Sequence, residues 1–372
     1  MLYQLFFILA VIYHVTAAVY YVEPAPVAPF SCTQAHPCRL SDLPGAFTVA
    51  DTIVFLPATT GSSSTYSIGS KLYTNPSLIL SAGTIFSAST LTARASNSLN
   101  CTGAAFVSSS SLIATTVGVV GSVGCNFTAS QFTSMGNGVL DFFGGTISGL
   151  TTLQRFLFNG NAVTLDGITL KSSTTNLAPI LMRTGNAESY FIAKNIVYDT
   201  VTTGGGTSAM VIQSTGGIDF DLTVSNVAYN AVVADGALME FQVQAVVGGG
   251  TFYTEIDILQ FTAVGGSCKK GFLYANNGDE SAQMTANIAL SSATGVNFKN
   301  GAAFLLSANS GIITLNANDA FNNNICSPTN HLNLAECTGT TINTAFLFSG
   351  NDEGSLTTKN CPTVYINGGT TC

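Results

Sequence analysis

Charged residues are scarce in this chain, which has 11 Lys and Arg, 19 Asp and Glu and three His among its 372 residues. The net charge of −8 argues against nucleic acid as a partner, because neutralising phosphates needs clusters of Lys and Arg. The one adjacent basic pair is Lys269–Lys270. Charge-driven disorder is excluded as well, since 46% of the residues are hydrophobic.

Long apolar runs are missing after the first residues, and tryptophan is missing altogether. Residues 5–15 form an apolar run as long as a signal-peptide core, and the small residues of 16–18 follow it. This run is shorter than the roughly twenty apolar residues that span a bilayer, so a membrane anchor is the weaker alternative. We expect residues 1–18 to be a secretory signal peptide, and the mature chain to be extracellular or at the cell surface without a membrane span.

Zinc-binding patterns are also lacking. There is no C-x-x-C pair, and only His36 and His331 follow the signal segment. The nine cysteines instead indicate an oxidising compartment. Proximity along the chain suggests four disulfides and leaves Cys268 over, although proximity alone does not determine connectivity. The suggested pairs are Cys32–Cys38, Cys101–Cys125, Cys326–Cys337 and Cys361–Cys372.

Two sequences fit the acceptor pattern for N-glycosylation in a secreted protein. Asn126 begins N-F-T, and Asn100 begins N-C-T. Asn100 is the poorer acceptor if Cys101 is oxidised. We expect the attached glycan at Asn126 first.

What the sequence does contain is an internal repeat. Six apolar bursts recur at sequence steps of 31, 28, 33, 32 and 42, and their matching positions are Ile180, Val211, Met239, Phe272, Phe304 and Phe346. A second register repeats at steps of 28, 31, 31, 30 and 31, through Gly167, Asn195, Asn226, Asp257, Asn287 and Asn318. Its next match, Asn360, follows after a step of 42. The shared step of 42 suggests one insertion of about eleven residues, a loop at 326–337 closed by the Cys326–Cys337 pair.

The repeat predicts an all-β fold, a single-stranded right-handed parallel β-helix with coils of about 31 residues. The bursts are four to eight residues long, are rich in Val, Ile, Thr and Phe, and end in Gly or Asn, which excludes helical repeats. A β-propeller would need blades of about forty residues, usually with tryptophan. We expect a capping segment at 19–50 and the β-helix domain at 51–372, with the six apolar positions inward. The Asn column should form an inward or turn-lining ladder.

Several stretches resemble known β-helix proteins. The opening D-T-I-V-F-L-P at Asp51 is similar to that of secreted proteins of the pectate-lyase-like superfamily. The N-G-A-A-F at Asn300 and the F-x-x-N motifs at Phe158, Phe321 and Phe348 resemble the GGA-I and F-x-x-N repeats of the polymorphic outer membrane proteins. The resemblance implies a parallel β-helix and, through the second family, a role in adhesion. The chain departs from that family in its reduced glycine pairs and in having no C-terminal membrane barrel sequence.

Few residues in the sequence suggest chemistry. Acidic residues follow three of the bursts by six to eight residues, which would place them along one edge of the solenoid: Glu188, Asp279, Glu280, Asp352 and Glu353. They are candidates for a calcium or glycan site, and the alternative is charge on solvated turns. Lys269–Lys270 beside Cys268 could activate that thiol, whereas an inert half-buried cysteine is the simpler interpretation. No catalytic, cofactor-binding or metal residue is predicted beyond these.

The pattern therefore favours a secreted structural or adhesive protein without catalysis, whose partners are extracellular glycans or other surface proteins. The alternative is a carbohydrate-active enzyme, a polysaccharide lyase or glycoside hydrolase, because many β-helices carry such activities. Proton transfer needs paired groups of tuned pKa, and the short list of acids and two histidines offers little material for it.

Overall fold

The computed structural model describes residues 17–26, 28, 31–59, 64–184, 188–214, 219–244, 252–279, 282–289, 292–294, 296–299, 302–308, 311–318, 333–339, 341–347 and 357–367. All but one of the described secondary-structure elements are strands, and the strands pair in parallel in one sheet that curls around an axis. The β-helix expected from the repeat is confirmed. One short 3-10 helix, Leu40–Asp42, precedes the first full coil.

The strand pairings divide the solenoid into three faces. Face A contains β1 Val19–Val22, β2 Thr52–Phe55, β5 Ser77–Leu80, β8 Ser98–Thr102, β11 Val119–Val123, β14 Asn137–Phe143, β27 Ala282–Ala289, β31 Ile312–Asn318, β33 Ile342–Leu347 and β35 Thr363–Asn367. Face B contains β3 Thr65–Tyr66, β6 Ile85–Ser87, β9 Ala105–Val107, β12 Asn126–Thr128, β15 Thr146–Ser148, β17 Thr169–Thr175, β22 Val233–Ala234, β25 Ser267–Cys268, β28 Ser292–Thr294 and β29 Asn297–Phe298. Face C contains β4 Ser70–Thr74, β7 Thr90–Arg94, β10 Ser111–Thr115, β13 Gln131–Met135, β18 Ile180–Thr184, β20 Met210–Ser214, β23 Met239–Val243, β26 Leu273–Asn277, β30 Ala302–Ala308, β32 Asn333–Thr338 and β34 Thr357–Lys359.

Four longer strands each turn a corner between two faces. They are β16 Phe156–Asp166, which runs from face C to face A, and β19 Ser189–Thr203, β21 Phe220–Asn230 and β24 Phe252–Val264, which run from face A to face B. Their alternation shows why these residues form strands: in β21, Phe220, Leu222 and Val224 are buried while Asp221 and Thr223 are exposed. One face of the strand thus fills the core and the other meets solvent.

The coil is narrow in the first half of the solenoid and wide in the second. On face A, Leu78 pairs with Leu99 and Leu99 with Val120, and each of these steps in residue number is 21. In the wide part, Leu222 pairs with Ile256 and Ile256 with Ala286, and the steps are 34 and 30. The expected period near 31 therefore describes only the second half. The wide coils dominate the sequence repeat because their bursts are longer and separated by polar segments, whereas the narrow coils leave little chain between strands.

Corners are marked by residues with positive φ. Between faces A and B these are Gly103, Gly124, Gly144 and Gly167, and then Asn195 and Asn226 in the wide coils. Glycine and asparagine suit this conformation because one lacks a Cβ and the other tolerates the left-handed region. At Gly145, where φ is 97°, a Cβ would also collide with the carbonyl of Cys125 on the coil below. Stacking therefore demands glycine at that corner.

Aromatic rings form a stack along the inside of face B. Phe86 stacks on Phe106 with ring centroids 5.0 Å apart, and Phe106 on Phe127 at 4.8 Å. In the wide coils Tyr198 stacks on Tyr229 at 4.5 Å. All five rings are almost completely buried. Like residues at the same place in successive coils thus bury large apolar surface without breaking the backbone ladder.

Four of the six residues predicted to face inward are buried in the main core, namely Ile180, Met239, Phe272 and Phe304. Ile180, Met239 and Phe304 lie in one buried column, whose other buried members are Met210 and Leu273. Val211 is one residue out of register, so its side chain faces outward, away from the main core. Phe272 is buried but precedes its strand. Phe346 lies on face A, where it pairs with Ala317, so its place in the column was wrong.

The predicted asparagine column divides into two ladders. In the first, at the corner between faces A and B, Asn226 Nδ2 donates to Asn195 Oδ1 and Asn195 Nδ2 to Asp166 Oδ1, both at 2.7 Å. In the second, on the outside of face A, Asn316 Nδ2 donates to Asn287 Oδ1 and Asn287 Nδ2 to Asp257 Oδ1, both at 2.9 Å. Asn316, rather than the predicted Asn318, continues this ladder. The ladders line a turn and an outer surface, and neither is buried in the core.

Three disulfides are present among the described residues. Cys32–Cys38 and Cys101–Cys125 form as predicted, with Cα atoms 4.5 Å and 6.3 Å apart. The third joins Cys337 to Cys361, with Cα atoms 4.8 Å apart, so the predicted partners of these two cysteines were wrong. Cys326 and Cys372 lie outside the described residues. The solenoid explains the Cys337–Cys361 pairing, because the stacking of adjacent coils brings together residues that are about one coil apart in sequence.

The predicted eleven-residue insertion is wrong for the same reason. Residues 333–337 belong to β32, and Phe304 pairs with Ala335 after an ordinary step of 31 in residue number. The step of 42 arose from matching Phe304 to a residue on a different face. At the other end, β1 pairs with β2 and the bridge of Val22 to Cys38 continues the ladder, so strand pairing already begins inside the segment expected as a cap.

Candidate functional site

Part of the outer surface of face C is withdrawn from solvent. Leu157, Leu181 and Val211 lie side by side on successive strands and point away from the core, yet they are only 8%, 5% and 8% exposed. Ala178 joins them in a small apolar cluster separate from the main core. An outward column of a solenoid ordinarily meets water. We call this surface, from Arg155 to Asn276 on the outside of face C, the recess.

A row of polar side chains runs through the recess parallel to the solenoid axis. Arg183, Gln213, Gln242 and Asn276 occupy the same outward position on β18, β20, β23 and β26. Arg183 Nε donates to Gln213 Oε1 at 2.9 Å, and Gln213 Nε2 donates to Gln242 Oε1 at 2.9 Å. These bonds hold Arg183, Gln213 and Gln242 in place, so this part of the row is ordered before any ligand arrives.

Glu240 lies beside this row and is only 4% exposed. Gln242 Nε2 donates to its Oε1 at 2.7 Å, and Ser208 Oγ donates to its Oε2. The ion pairs of the described chain, Lys194–Asp166, Lys269–Asp235 and Lys359–Glu336, do not include it. Burying a carboxylate is costly unless hydrogen bonds replace its water, and here both oxygens are already engaged. The group is thus built into the floor of the recess.

Tyr274 and Lys270 form the far end of the recess. Tyr274 follows Glu240 in the same outward column, and the ammonium of Lys270 lies 4.5 Å from the centre of the tyrosine ring. Burial, and then the charge of Glu240, raise the pKa of Tyr274. The half-buried ring offers an apolar surface with a polar tip, a combination suited to a ligand that is itself amphipathic.

Arg155 lies at the near end, one rung before Arg183. Both side chains are half-buried. Burial lowers the pKa of the Arg155 guanidinium, and the nearby charge of Arg183 lowers it further. The recess therefore runs from a positive end, across amides, to a carboxylate and a phenol. By strand spacing its five rungs span roughly 19 Å.

The acidic edge predicted from the sequence is not assembled by the residues that can be described. Glu188 is exposed on face A, and its Oε1 accepts a hydrogen bond from Tyr190 Oη at 2.8 Å. Asp279 is 3% exposed and lies three rungs from Glu188. The rungs can be counted on the strand that follows Glu188, where Ser189 pairs with Phe220, Phe220 with Thr254 and Thr254 with Met284. Glu280, Asp352 and Glu353 lie outside the described residues.

Glu188 instead belongs to a different acidic group on face A. Burial and the charges of Glu188, Asp219 and Asp257 raise the pKa of Asp221. Even so, the described part of the chain contains no group of three or more His, Cys, Asp or Glu arranged to hold a metal ion. The carboxylates here repel one another without converging on a point.

Cys268 is unpaired and fully buried. Burial raises the pKa of its thiol to about 12, so the thiolate that would act as a nucleophile is absent near neutral pH. Of the two lysines that follow it, Lys269 pairs with Asp235 and Lys270 covers Tyr274. The activated-thiol interpretation is therefore not supported by the geometry.

The two glycosylation candidates differ in accessibility. Asn126 is exposed on β12, at the edge of face B, whereas Asn100 is half-buried on β8. Cys101, the middle residue of the second acceptor sequence, is bonded to Cys125. The geometry favours Asn126 as the residue an enzyme could reach.

The recess was missed by the sequence reasoning, although a signal for it exists. The bursts I-L-M-R-T, M-V-I-Q-S, M-E-F-Q-V and L-Y-A-N-N carry a polar residue at the fourth position in every case. The sequence repeat was aligned on apolar residues alone. In two of the bursts, the outward residue two positions before this polar residue is also apolar, so the alternation did not distinguish inward from outward side chains.

No protein-family description, curated protein or solved structure matches this chain. In the part of the chain that the structure describes, no helix is long and apolar enough to cross a membrane.

Proposed function

We propose that this protein is an extracellular, non-catalytic binding protein whose recess receives an extended glycan chain. The observation that carries the proposal is the hydrogen-bonded row Arg183–Gln213–Gln242, which presents one fixed polar side chain on each of three successive rungs. Rungs repeat about every 4.8 Å, close to the length of one sugar residue. A chain lying along the axis would therefore meet one such side chain per sugar.

The chemistry of the row suits sugars better than other extended polymers. The amides can donate to and accept from sugar hydroxyl groups, the guanidinium can donate to them, and the half-buried ring of Tyr274 can contact the apolar face of a sugar ring. An extended peptide would instead seek a free strand edge, and the strands beneath the recess are paired on both sides.

The hydrogen bonds that Glu240 accepts favour binding without catalysis. It is the one carboxylate in the recess as described here, and both of its oxygens accept hydrogen bonds from the protein. Glycoside hydrolysis uses two carboxyl groups, and proton transfer in general needs a group free to reach the substrate. A second function, hydrolysis or elimination at Glu240, is therefore kept only as an outcome of the test.

We also propose that the protein is secreted and that it acts in adhesion. Three disulfides support an oxidising compartment, and a row of repeated shallow contacts suits attachment to a polymer on a surface. The apolar run at 5–15 is consistent with export through a signal peptide.

A glycan array followed by calorimetric titration tests the proposal. Wild-type protein, Gln242→Ala and the control Gln283→Ala are compared, because Gln283 is a half-buried outward glutamine on face A. We expect the wild type and the control to bind the same oligosaccharides, and Gln242→Ala to bind them roughly tenfold less tightly. Equal binding by all three proteins would contradict the role of the recess. Cleavage of a bound chain that disappears in Glu240→Gln would replace binding by catalysis.

A further inference from the structure

Two arginines share the near end of the recess, and no described carboxylate forms an ion pair with either of them. Arg155 immediately precedes β16, and Arg183 lies in β18 on the next rung. Both sit at outward positions, on either side of the paired residues Leu157 and Leu181. Their side chains therefore extend over the same small apolar strip.

Neither guanidinium has an ion-pair partner among the described residues. The three ion pairs found there all use lysines. Arg183 uses its Nε on Gln213, a neutral amide. Repulsion between the two charges lowers the pKa of Arg155, in addition to the effect of its burial. Two like charges over an apolar strip are unfavourable unless something neutralises them.

An anion placed between the two groups would remove this repulsion. Guanidinium is planar and donates paired N–H groups, a geometry that matches the oxygens of carboxylate, sulfate and phosphate. The low polarity of Leu157, Leu181 and Val211 beneath would strengthen the attraction relative to open water. A neutral sugar hydroxyl would leave both charges uncompensated.

We propose that Arg155 and Arg183 form an anion subsite at the near end of the recess, which holds an acidic substituent of the bound glycan. This inference rests on the proposed function, since the glycan supplies the anion. The substituent is a carboxylate or a sulfate ester, because either one presents two or more oxygens to the paired guanidiniums.

The test compares three hexasaccharides of different charge: a heparin fragment, which is sulfated, oligogalacturonate, which is carboxylated, and cellohexaose, which is neutral. The proteins are the wild type, Arg155→Gln, Arg155→Lys, Gln242→Ala and the control Arg94→Gln, which changes an exposed arginine on the narrow part of face C. Thermal unfolding and circular dichroism of each variant show that it is folded.

We expect at least one acidic hexasaccharide to bind more tightly than cellohexaose, and Arg155→Gln to weaken that binding roughly tenfold without changing affinity for cellohexaose. Arg155→Lys should recover part of the loss, and Arg94→Gln should change nothing. The affinity of the wild type for the acidic chain should fall as salt is raised, with a smaller dependence in Arg155→Gln. Binding of oligogalacturonate would show that a carboxylate suffices, whereas binding of the heparin fragment alone would show that a sulfate is needed.

Failures of the two proposals are distinguishable. If all three chains bind equally and depend on Gln242, the anion subsite is overturned while glycan binding in the recess stands. If an acidic chain depends on Arg155 but not on Gln242, the subsite stands and the extended row does not. If none of the three chains binds the wild type, the subsite is refuted together with its ligand class.

Discussion

Replacing Tyr229 by phenylalanine should leave this protein as stable as before or make it more stable. Tyr229 is fully buried, its ring stacks on Tyr198 at 4.5 Å and contacts Phe261 at 4.9 Å, and its hydroxyl has no hydrogen-bond partner in the described structure. The ring contacts survive the change, and the hydroxyl that was removed from water without compensation is lost. An unpartnered buried hydroxyl costs about 1–3 kcal/mol, so we expect a gain of about 1 kcal/mol.

Tyr66→Phe is the matched control, for which we expect the opposite change in stability. Tyr66 is also buried, but its hydroxyl lies 2.8 Å from the carbonyl oxygen of Val22 and 2.7 Å from that of Leu56, and can donate to either. Its removal should cost about 1–2 kcal/mol. For a chain of this size, 1 kcal/mol corresponds to a shift in Tm of about 1–2 °C, which scanning calorimetry at a fixed scan rate resolves. If Tyr229→Phe lowers the Tm as much as Tyr66→Phe does, the Tyr229 hydroxyl has a partner and the reasoning is refuted.

Three further predictions concern the core, the disulfides and pH. Phe304→Ala should destabilise the protein by about 3–5 kcal/mol in urea unfolding, because the side chain is fully buried in the face C column; a loss under about 1 kcal/mol would contradict its core position. Non-reducing peptide mapping should link Cys337 to Cys361, and a link from Cys337 to another cysteine would overturn the register of the last coils. Burial raises the pKa of Cys268 and of Tyr73 to about 12, from 9.0 and 10.0, so the stability contributed by their neutral forms is complete below about pH 9 and is lost as pH rises towards 12. The Tm should fall across that window, and a constant Tm would contradict the burial.

The fold could be predicted from the sequence because a solenoid repeats its pattern. Each wide coil has its own apolar burst and its own turn residue, so Asn195 and Asn226 could be matched from one coil to the next and are bonded to each other in the structure. The repeat of the narrow coils was not recognised in the sequence, because a short coil with glycine at the corner contains little that distinguishes one turn from the next. Gly124 and Gly144 occupy the same corner in successive coils, yet nothing around them in the sequence marks them as equivalent.

The register within each burst was harder to predict than its existence. In β20, the residues Met210, Val211 and Ile212 are all apolar and all buried, so alternation gives no direction. Their burial has two causes, since Met210 and Ile212 face the core while Val211 faces the recess. Only the position of the neighbouring coils separates the two, and this information is not local in sequence.

The candidate site was hard to predict from the sequence for a related reason. Glu240 looks like an isolated acid between two apolar residues, and its role depends on Ser208 and Gln242, which reach it from a different coil and from further along its strand. Arg155 and Arg183 are distant in sequence and share the recess only because successive rungs stack. The acidic residues that did stand out, such as Glu188, owed their prominence to exposed turns.

The most direct test of the central claim is hydroxyl-radical footprinting of the wild type with and without a saturating concentration of whichever hexasaccharide binds. Tyr274 is half-buried in the recess, whereas Tyr190 and Tyr253 are 49% and 56% exposed on face A. If the glycan lies in the recess, oxidation of Tyr274 should decrease on binding while oxidation of Tyr190 and Tyr253 stays unchanged. Protection of Tyr190 and Tyr253 with no change at Tyr274 would place the ligand on face A and contradict the account.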